Sequence, residues 1–312
     1  MNSDYIKSKE PGWYYRLSSF FREKFGGPVY KIPLDAGFSC PNRDGTIGEK
    51  GCIYCYNPSF SPFSKEASFT PLAVQLSRGK KKSKGARYIA YFQAYTNTYA
   101  PLEHLKSLYD QALAEPEVIG LSIATRPDCI TDETLNLLEE YASQYHIWIE
   151  YGLQSAHDKT LQRINRGHKA IDFEIALTKT KNRGIYSCAH IILGLPGETE
   201  EMFFDTIHFL NKCAVDGVKF HHLQVVRNTP LAEEYQKGKM KLYYRAEDYI
   251  PILCDCLERL SPEAVIHRLA SQSISDDLLI APQWSESAGK IASMVENELI
   301  KRGTHQGYLF NR

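Results

Sequence analysis

An α/β fold built on a parallel sheet is what this chain predicts, and three observations carry the expectation. Short β-rich runs alternate with longer amphipathic segments along 312 residues. Several of those runs are almost continuously apolar, as strands covered on both faces tend to be. The chain is also long enough to bury one large core with short additions at its ends. Six βα units in series fit either a parallel barrel or an open sheet, and composition does not separate the two. In both, the side chains that do chemistry gather in loops at the C-terminal ends of the strands.

The elements follow in order. Residues 1–28 form an N-terminal extension whose 13–25 segment reads as a helix. Strands are expected at 29–35, 87–93, 118–124, 147–153, 186–193 and 218–226. Between them, 101–114, 131–145, 170–183 and 198–213 read as helices. Thr131-Asp132-Glu133-Thr134 supplies polar caps and first-turn acids. The strands and helices place the barrel at 29–243 and a C-terminal extension, packed on it, at 244–312.

Composition narrows the function. Hydrophobic residues make up 43% and charged residues 24%, ordinary values for a globular enzyme. No apolar run is long enough for a membrane span. The opening MNSDYIKSKEPGWYY has no signal-like apolar stretch, so a cytoplasmic protein is expected. Lys plus Arg and Asp plus Glu both number 37, so no global field draws the chain onto nucleic acid. Such a partner needs a local patch, and the dense basic run at 78–87 is the candidate, although a charge run is usually a solvated face. With eight cysteines in a cytosolic chain, metal binding is a better expectation than disulfides.

Cysteine spacing gives the strongest chemical signal. Cys40 and Cys52 are separated by eleven residues that include three glycines, a proline and several charges, and two residues separate Cys52 from Cys55. This is a loop. Its C-x2-C pair brings two thiolates to one centre, and Cys40 folds back as a third ligand. Three ligands are incomplete for a structural zinc or an electron-transfer cluster, and such a set leaves one cluster iron open. The alternative is a zinc knuckle completed by Cys129 or Cys188. Cys213, Cys254 and Cys256 lie in helical patterns and read as packing residues.

The segment PLDAGFSCPNRDGTIGEKGCIYC resembles the cluster loop of the YhcC-like branch of radical S-adenosylmethionine (SAM) proteins, related to the Elongator catalytic subunit. The resemblance continues through YFQAYTNTYAP, TRPD, YGLQS, NRGH, GLPGET and LLIAPQWS, and so covers nearly the whole chain. It implies a partial (β/α)6 TIM-type barrel, a [4Fe–4S] cluster on Cys40, Cys52 and Cys55, and SAM on the open iron. It also implies a low-potential electron donor such as flavodoxin or ferredoxin. Tyr54 resembles the aromatic beside adenine. Gln93, Thr96 and Asn97 stand where the wider superfamily has a Gly-Gly-Glu-like stretch for the SAM amino group. Gln154 and Ser155 match a ribose-contacting position, where an amide both donates and accepts. Arg166 resembles the arginine that pairs with the SAM carboxylate, a contact suited to a planar guanidinium. His190 resembles a SAM-facing polar residue.

Three further features stay open. Arg126 either contacts substrate or locks its loop through Asp128. At most one of His221 and His222, adjacent on one strand, is expected to face the interior. The substrate is either transfer RNA, implied by the Elongator-like motifs, or a small metabolite, with a non-catalytic zinc- and RNA-binding protein as the remaining class. Nothing in the chain resembles an acetyltransferase domain, so remodelling of an existing wobble-uridine C5 substituent is expected rather than its installation.

Overall fold

The computed structural model describes residues 12–59, 70–80, 85–238, 242–243, 245–271, 274 and 277–310. The chain runs α1 (Leu17–Phe25), β1 (Val29–Leu34), α2 (Leu72–Gly79), β2 (Arg87–Phe92), α3 (Leu102–Leu113), β3 (Val118–Thr125), α4 (Asp132–Ala142) and β4 (His146–Gln154). It continues α5 (Asp158–Arg163), α6 (Ala170–Thr180), β5 (Tyr186–Leu193), α7 (Glu200–Cys213), β6 (Gly217–His222) and β7 (Val225–Val226). The last part is α8 (Pro230–Gln236), α9 (Ala246–Arg259), β8 (Val265–Arg268), β9 (Leu279–Ala281) and α10 (Ala288–Arg302).

Seven strands form one sheet in the order β1-β2-β3-β4-β5-β6-β8, and every neighbouring pair is parallel. The result is the half-barrel of a partial TIM-type fold. All six strands expected from sequence are present. A seventh, β8, is added from the C-terminal segment. The expected sixth strand divides, because pairing with β5 ends at His222 and β7 turns away to pair antiparallel with β9.

Local chemistry explains the helix ends. Thr131 caps α4 by accepting from Thr134 N at 3.1 Å, and Ser287 caps α10 by accepting from Lys290 N at 3.2 Å. Gly303, at φ 65°, ends α10 in the left-handed conformation that glycine adopts without penalty. Helix α1 starts later than expected. Tyr15 and Arg16 are extended beside β8, with Ile266 N donating to Tyr15 O at 2.7 Å. Gln306 ties this edge together, accepting from Tyr15 N (2.8 Å) and donating to the carbonyls of Ser261 (2.6 Å) and Ala264 (2.8 Å).

The barrel interior is layered. At the N-terminal end of the strands, Phe20 from α1 packs on His146, Trp148 and Tyr186, with ring centroids 5.5–5.6 Å away. This aromatic plug closes that end. Polar side chains fill the middle, and the opposite end opens into a cavity. Among the described residues no helix is long and apolar enough to cross a membrane.

Candidate active site

Strand β1 delivers the chain into the cysteine loop, and Gln75 of α2 pins its exit through Asp35 N (2.8 Å) and Asp35 O (2.7 Å). Tight turns then fold the loop on itself: Arg43 N donates to Cys40 O, and Cys55 N to Cys52 O, at 2.8 and 3.0 Å. The segment after α5 locks it from the other side. Asn42 Nδ2 donates to Asn165 O (2.6 Å), Asn165 Nδ2 to Gly51 O (2.7 Å), and Ile53 N to Ile164 O (3.0 Å). Cys40, Cys52 and Cys55 all reach one cavity, and none is in a disulfide.

Cys52 Sγ is buried and receives Asn42 Nδ2 at 3.7 Å and Arg166 Nη1 at 3.6 Å. Burial pushes the Cys55 thiol up to about 11, and negative charge on Cys52 and Cys40 adds to the effect. Three thiolates in one place therefore call for a cationic centre. The three sulfurs do not all lie within 4.8 Å of one another, a limit that among the described residues is met only by Glu150, Cys188 and His190. A tetrahedral zinc with bonds of about 2.3 Å holds its sulfurs roughly 3.8 Å apart. As placed, the three sulfurs are not gathered tightly enough for one tetrahedral ion. Cys188, a candidate fourth zinc ligand, lies in β5 against Trp148. Cys129, the other, faces Asp128 at 3.8 Å.

The cavity holds about 530 Å³, within the range of small-molecule sites. Tyr54, Gln93, Thr96, Gln154, Arg166 and His190 line it. Gln154 reaches it because β4 bulges against β5 between Gly152 and Gln154, and Gln154 itself sits at φ 74°. A methyl group at Gly152 would stand 2.6 Å from Arg166 Nη2 and 2.7 Å from Gln154 Nε2, so a side chain there would displace the ends of both. Arg166 is buried, donates through Nη2 to Gly152 O at 2.7 Å, and leaves Nε–H without a partner among the described residues.

Two of the expected residues are not part of the lining. Ser155 is outside the cavity lining, and its hydroxyl donates to Glu198 and accepts from His157 N at 3.1 Å. Asn97 is also outside the lining, fully buried, with Nδ2 donating to Ala124 O at 2.8 Å. In both cases the neighbouring residue of the turn takes the inward position. Arg126 is a lock: it forks onto Asp128 at 2.9 and 2.7 Å and donates to Arg166 O at 2.7 Å. His221 and His222 both border the cavity, because the strand ends at His222 and its ring stacks on Trp284 with centroids 3.8 Å apart. Within the basic run, Lys80 is neutralised by Glu115 (2.8 Å) and Glu117 (2.5 Å). Lys81, Lys82 and Lys84 lie outside the described residues.

Sequence reasoning missed Asn42 and the interior group around Glu150. Glu150 is fully buried on β4, between Lys31, Lys219, Ser122 and His190. Burial alone raises its pKa, but Lys219 and Lys31 hold it well below the usual carboxylate range. Those two ammonium groups also repel any cation from the Glu150–Cys188–His190 triplet. The signal was available: a single acid in the otherwise apolar strand HIWIEYGLQ.

Family comparison settles what this arrangement is. The radical SAM superfamily model matches residues 43–210, more than half the chain, and the radical SAM C-terminal domain model matches 215–301. The chain belongs to the radical SAM superfamily. Within it, this radical SAM protein is 37% identical to the uncharacterized protein YtqA of Bacillus subtilis, covering 100% of this chain and 97% of YtqA. It is 40% identical to protein YhcC of Escherichia coli over 85% of each chain, which places it in the YhcC-like branch. A tRNA uridine(34) acetyltransferase of Methanocaldococcus infernus is 29% identical over 45% of this chain and 26% of its own length. The solved Elp3 of the same archaeon shares the fold, with TM-score 0.66 at 18% identity over 89% of this chain and 64% of that one. Membership brings the superfamily's cofactor pair, a [4Fe–4S] cluster and SAM.

Proposed function

We propose that Cys40, Cys52 and Cys55 hold the cluster, and that this radical SAM enzyme remodels a C5 substituent on the wobble uridine of transfer RNA. The observation that carries the site assignment is the convergence of three unpaired thiols on one wall of the cavity, with Asn42 and Arg166 donating to the most buried of them. Arg166 lines the cavity beside those thiols, and its buried Nε–H, without a partner among the described residues, suits an anionic ligand. Arg166 therefore takes the SAM carboxylate, Gln154 the ribose and Tyr54 the adenine, with Gln93 and Thr96 near the amino group. When bound, the cluster and SAM would supply one-electron reductive cleavage of the sulfonium and, through it, hydrogen-atom abstraction from an unreactive carbon.

The chain's own residues do the rest. Asn42 and Arg166 place N–H dipoles on Cys52, which lowers the electron density of a bound cluster and tunes its potential. Arg126 and Asp128 fix the backbone that carries Arg166. The aromatic plug around Phe20 shuts water out of the far end of the barrel. The reaction draws its electron from a low-potential donor of the flavodoxin or ferredoxin type in the cytoplasm.

Support for the tRNA substrate is the identity with a tRNA uridine(34) acetyltransferase over nearly half the chain. Mass spectrometry of tRNA nucleosides from a deletion strain tests it. Loss of a modified wobble uridine with accumulation of its precursor is the expected result. An unaltered wobble-uridine profile would reject it in favour of a small-metabolite substrate.

A further inference from the structure

Among the described residues lining the cavity, Glu150 is the one carboxylate, and two ammonium groups converge on it. Glu150 Oε1 accepts from Lys31 Nζ and from Ser122 Oγ (2.6 Å), and Oε2 from Lys219 Nζ (2.9 Å) and His190 Nε2 (2.6 Å). A carboxylate has about four acceptor positions, so Glu150 has none left for a ligand. Lys219 has three N–H groups. Two reach Glu150 and the Tyr91 hydroxyl (2.6 Å), and the third meets no acceptor among the described residues. Lys31 sits deeper, beside His267 Nδ1 at 3.2 Å and outside the cavity lining. Lys219 lines the cavity, in register with His190 on β5 and next to Arg268 on β8.

Two ammonium groups thus share one carboxylate in a site of low exposure, where an unbalanced charge is costly. The unused donor belongs to the lysine that faces the open space. We infer that the cavity floor recognises a carboxylate carried by the substrate, with Lys219 as the contacting residue and Tyr91 and Glu150 holding its ammonium in place. Lys219 is three residues short of the C-terminal end of β6, whereas the cysteine wall and Arg166 lie beyond the strand ends. The floor is therefore separate from the position assigned to the SAM carboxylate. This inference rests on the proposed function for the identity of the substrate as RNA, but not for the existence of the anion site.

Two probe pairs test it, each at constant ionic strength with anaerobically reconstituted protein. The first is succinate against succinamide, read by calorimetric titration. The second is an anticodon stem-loop RNA carrying 5-carboxymethyluridine or its neutral amide, 5-carbamoylmethyluridine, at the wobble position. The acid form of each pair should bind at least about tenfold more tightly than the amide. Lys219→Met should bring the two within about twofold, Lys219→Arg should keep the preference, and SAM affinity and iron content should be unchanged in both. Equal binding of acid and amide by the wild type overturns the inference, and that arm stands even if Lys219→Met fails to fold. A preference retained in folded Lys219→Met also overturns it, as does a parallel loss of SAM affinity. Lys219-dependent succinate binding with no binding of either RNA leaves the anion site in place and rejects the tRNA substrate.

Discussion

Glu150→Gln isolates the electrostatics of the barrel interior, because it keeps the shape of the side chain and removes its charge. Lys31 and Lys219 then face each other across the neutral amide without an anion. Removing one partner of a buried ion pair costs about 3–5 kcal/mol. Part of that cost is tied to a proton. Burial lowers the Lys219 ammonium to about 8, with Arg268 and Lys31 acting in the same direction and Glu150 opposing them. Without Glu150 it falls further, so Lys219 loses its proton at a lower pH than in the wild type. A lysine with a folded value below its unfolded one binds fewer protons folded than unfolded between the two, so stability rises with pH there. In the wild type this rise begins near pH 8, and in the variant at a lower pH, taken as about one pH unit lower. One pH unit is about 1.36 kcal/mol, so the deficit of the variant should shrink by roughly 1.4 kcal/mol between pH 7 and 9. Thermal unfolding of the apoprotein reads it, at about 2 °C per kcal/mol for a chain of this size. The expected loss is about 6–10 °C at pH 7 and about 3 °C less at pH 9. A variant that melts with the wild type at pH 7, or whose deficit grows with pH, would refute the charge balance described for the interior.

Other substitutions address the site. Alanine at Cys40, Cys52 or Cys55 should each abolish the visible absorbance of the reconstituted protein, and iron and sulfide retained in all three variants would show that the cluster is held elsewhere. Arg166→Ala should remove a charge-assisted hydrogen bond worth about 1.5–3 kcal/mol, weakening SAM roughly tenfold or more while iron content stays normal. Unchanged SAM affinity in equilibrium dialysis rejects that assignment. Neutralising Lys80, Lys81, Lys82 and Lys84 should flatten the salt dependence of tRNA binding, by about 0.7–0.9 in slope for each phosphate that is no longer neutralised. Lys80 contributes least, because Glu115 and Glu117 already balance it. An unaltered slope removes this patch from the RNA interface.

The strands were legible because parallel strands buried on both faces are continuous apolar runs, and their edges end where the run ends. Strand β8 escaped notice because Val-Ile-His-Arg is four residues long and half polar. The division of 218–226 into two strands depends on the partner each half finds, β5 or β9, which no local pattern encodes. That Cys40, Cys52 and Cys55 belong together was legible from spacing, and the fold brings all three to one cavity. Ser155 stands outside the cavity lining because inward and outward positions alternate residue by residue, and the bulge between Gly152 and Gln154 sets which of Gln154 and Ser155 turns inward. Asn42 sits in a polar loop where asparagine is ordinary, and only the fold brings it to Cys52.

The central claim is that this cavity cleaves SAM reductively, and the most direct measurement is 5′-deoxyadenosine formed from SAM by the anaerobically reconstituted, dithionite-reduced protein. Chromatography should show deoxyadenosine and methionine in equal amounts, with none above background when Cys40, Cys52 and Cys55 are all alanine. Intact SAM in the presence of a full complement of iron and sulfide, with tRNA from the deletion strain added, would contradict it.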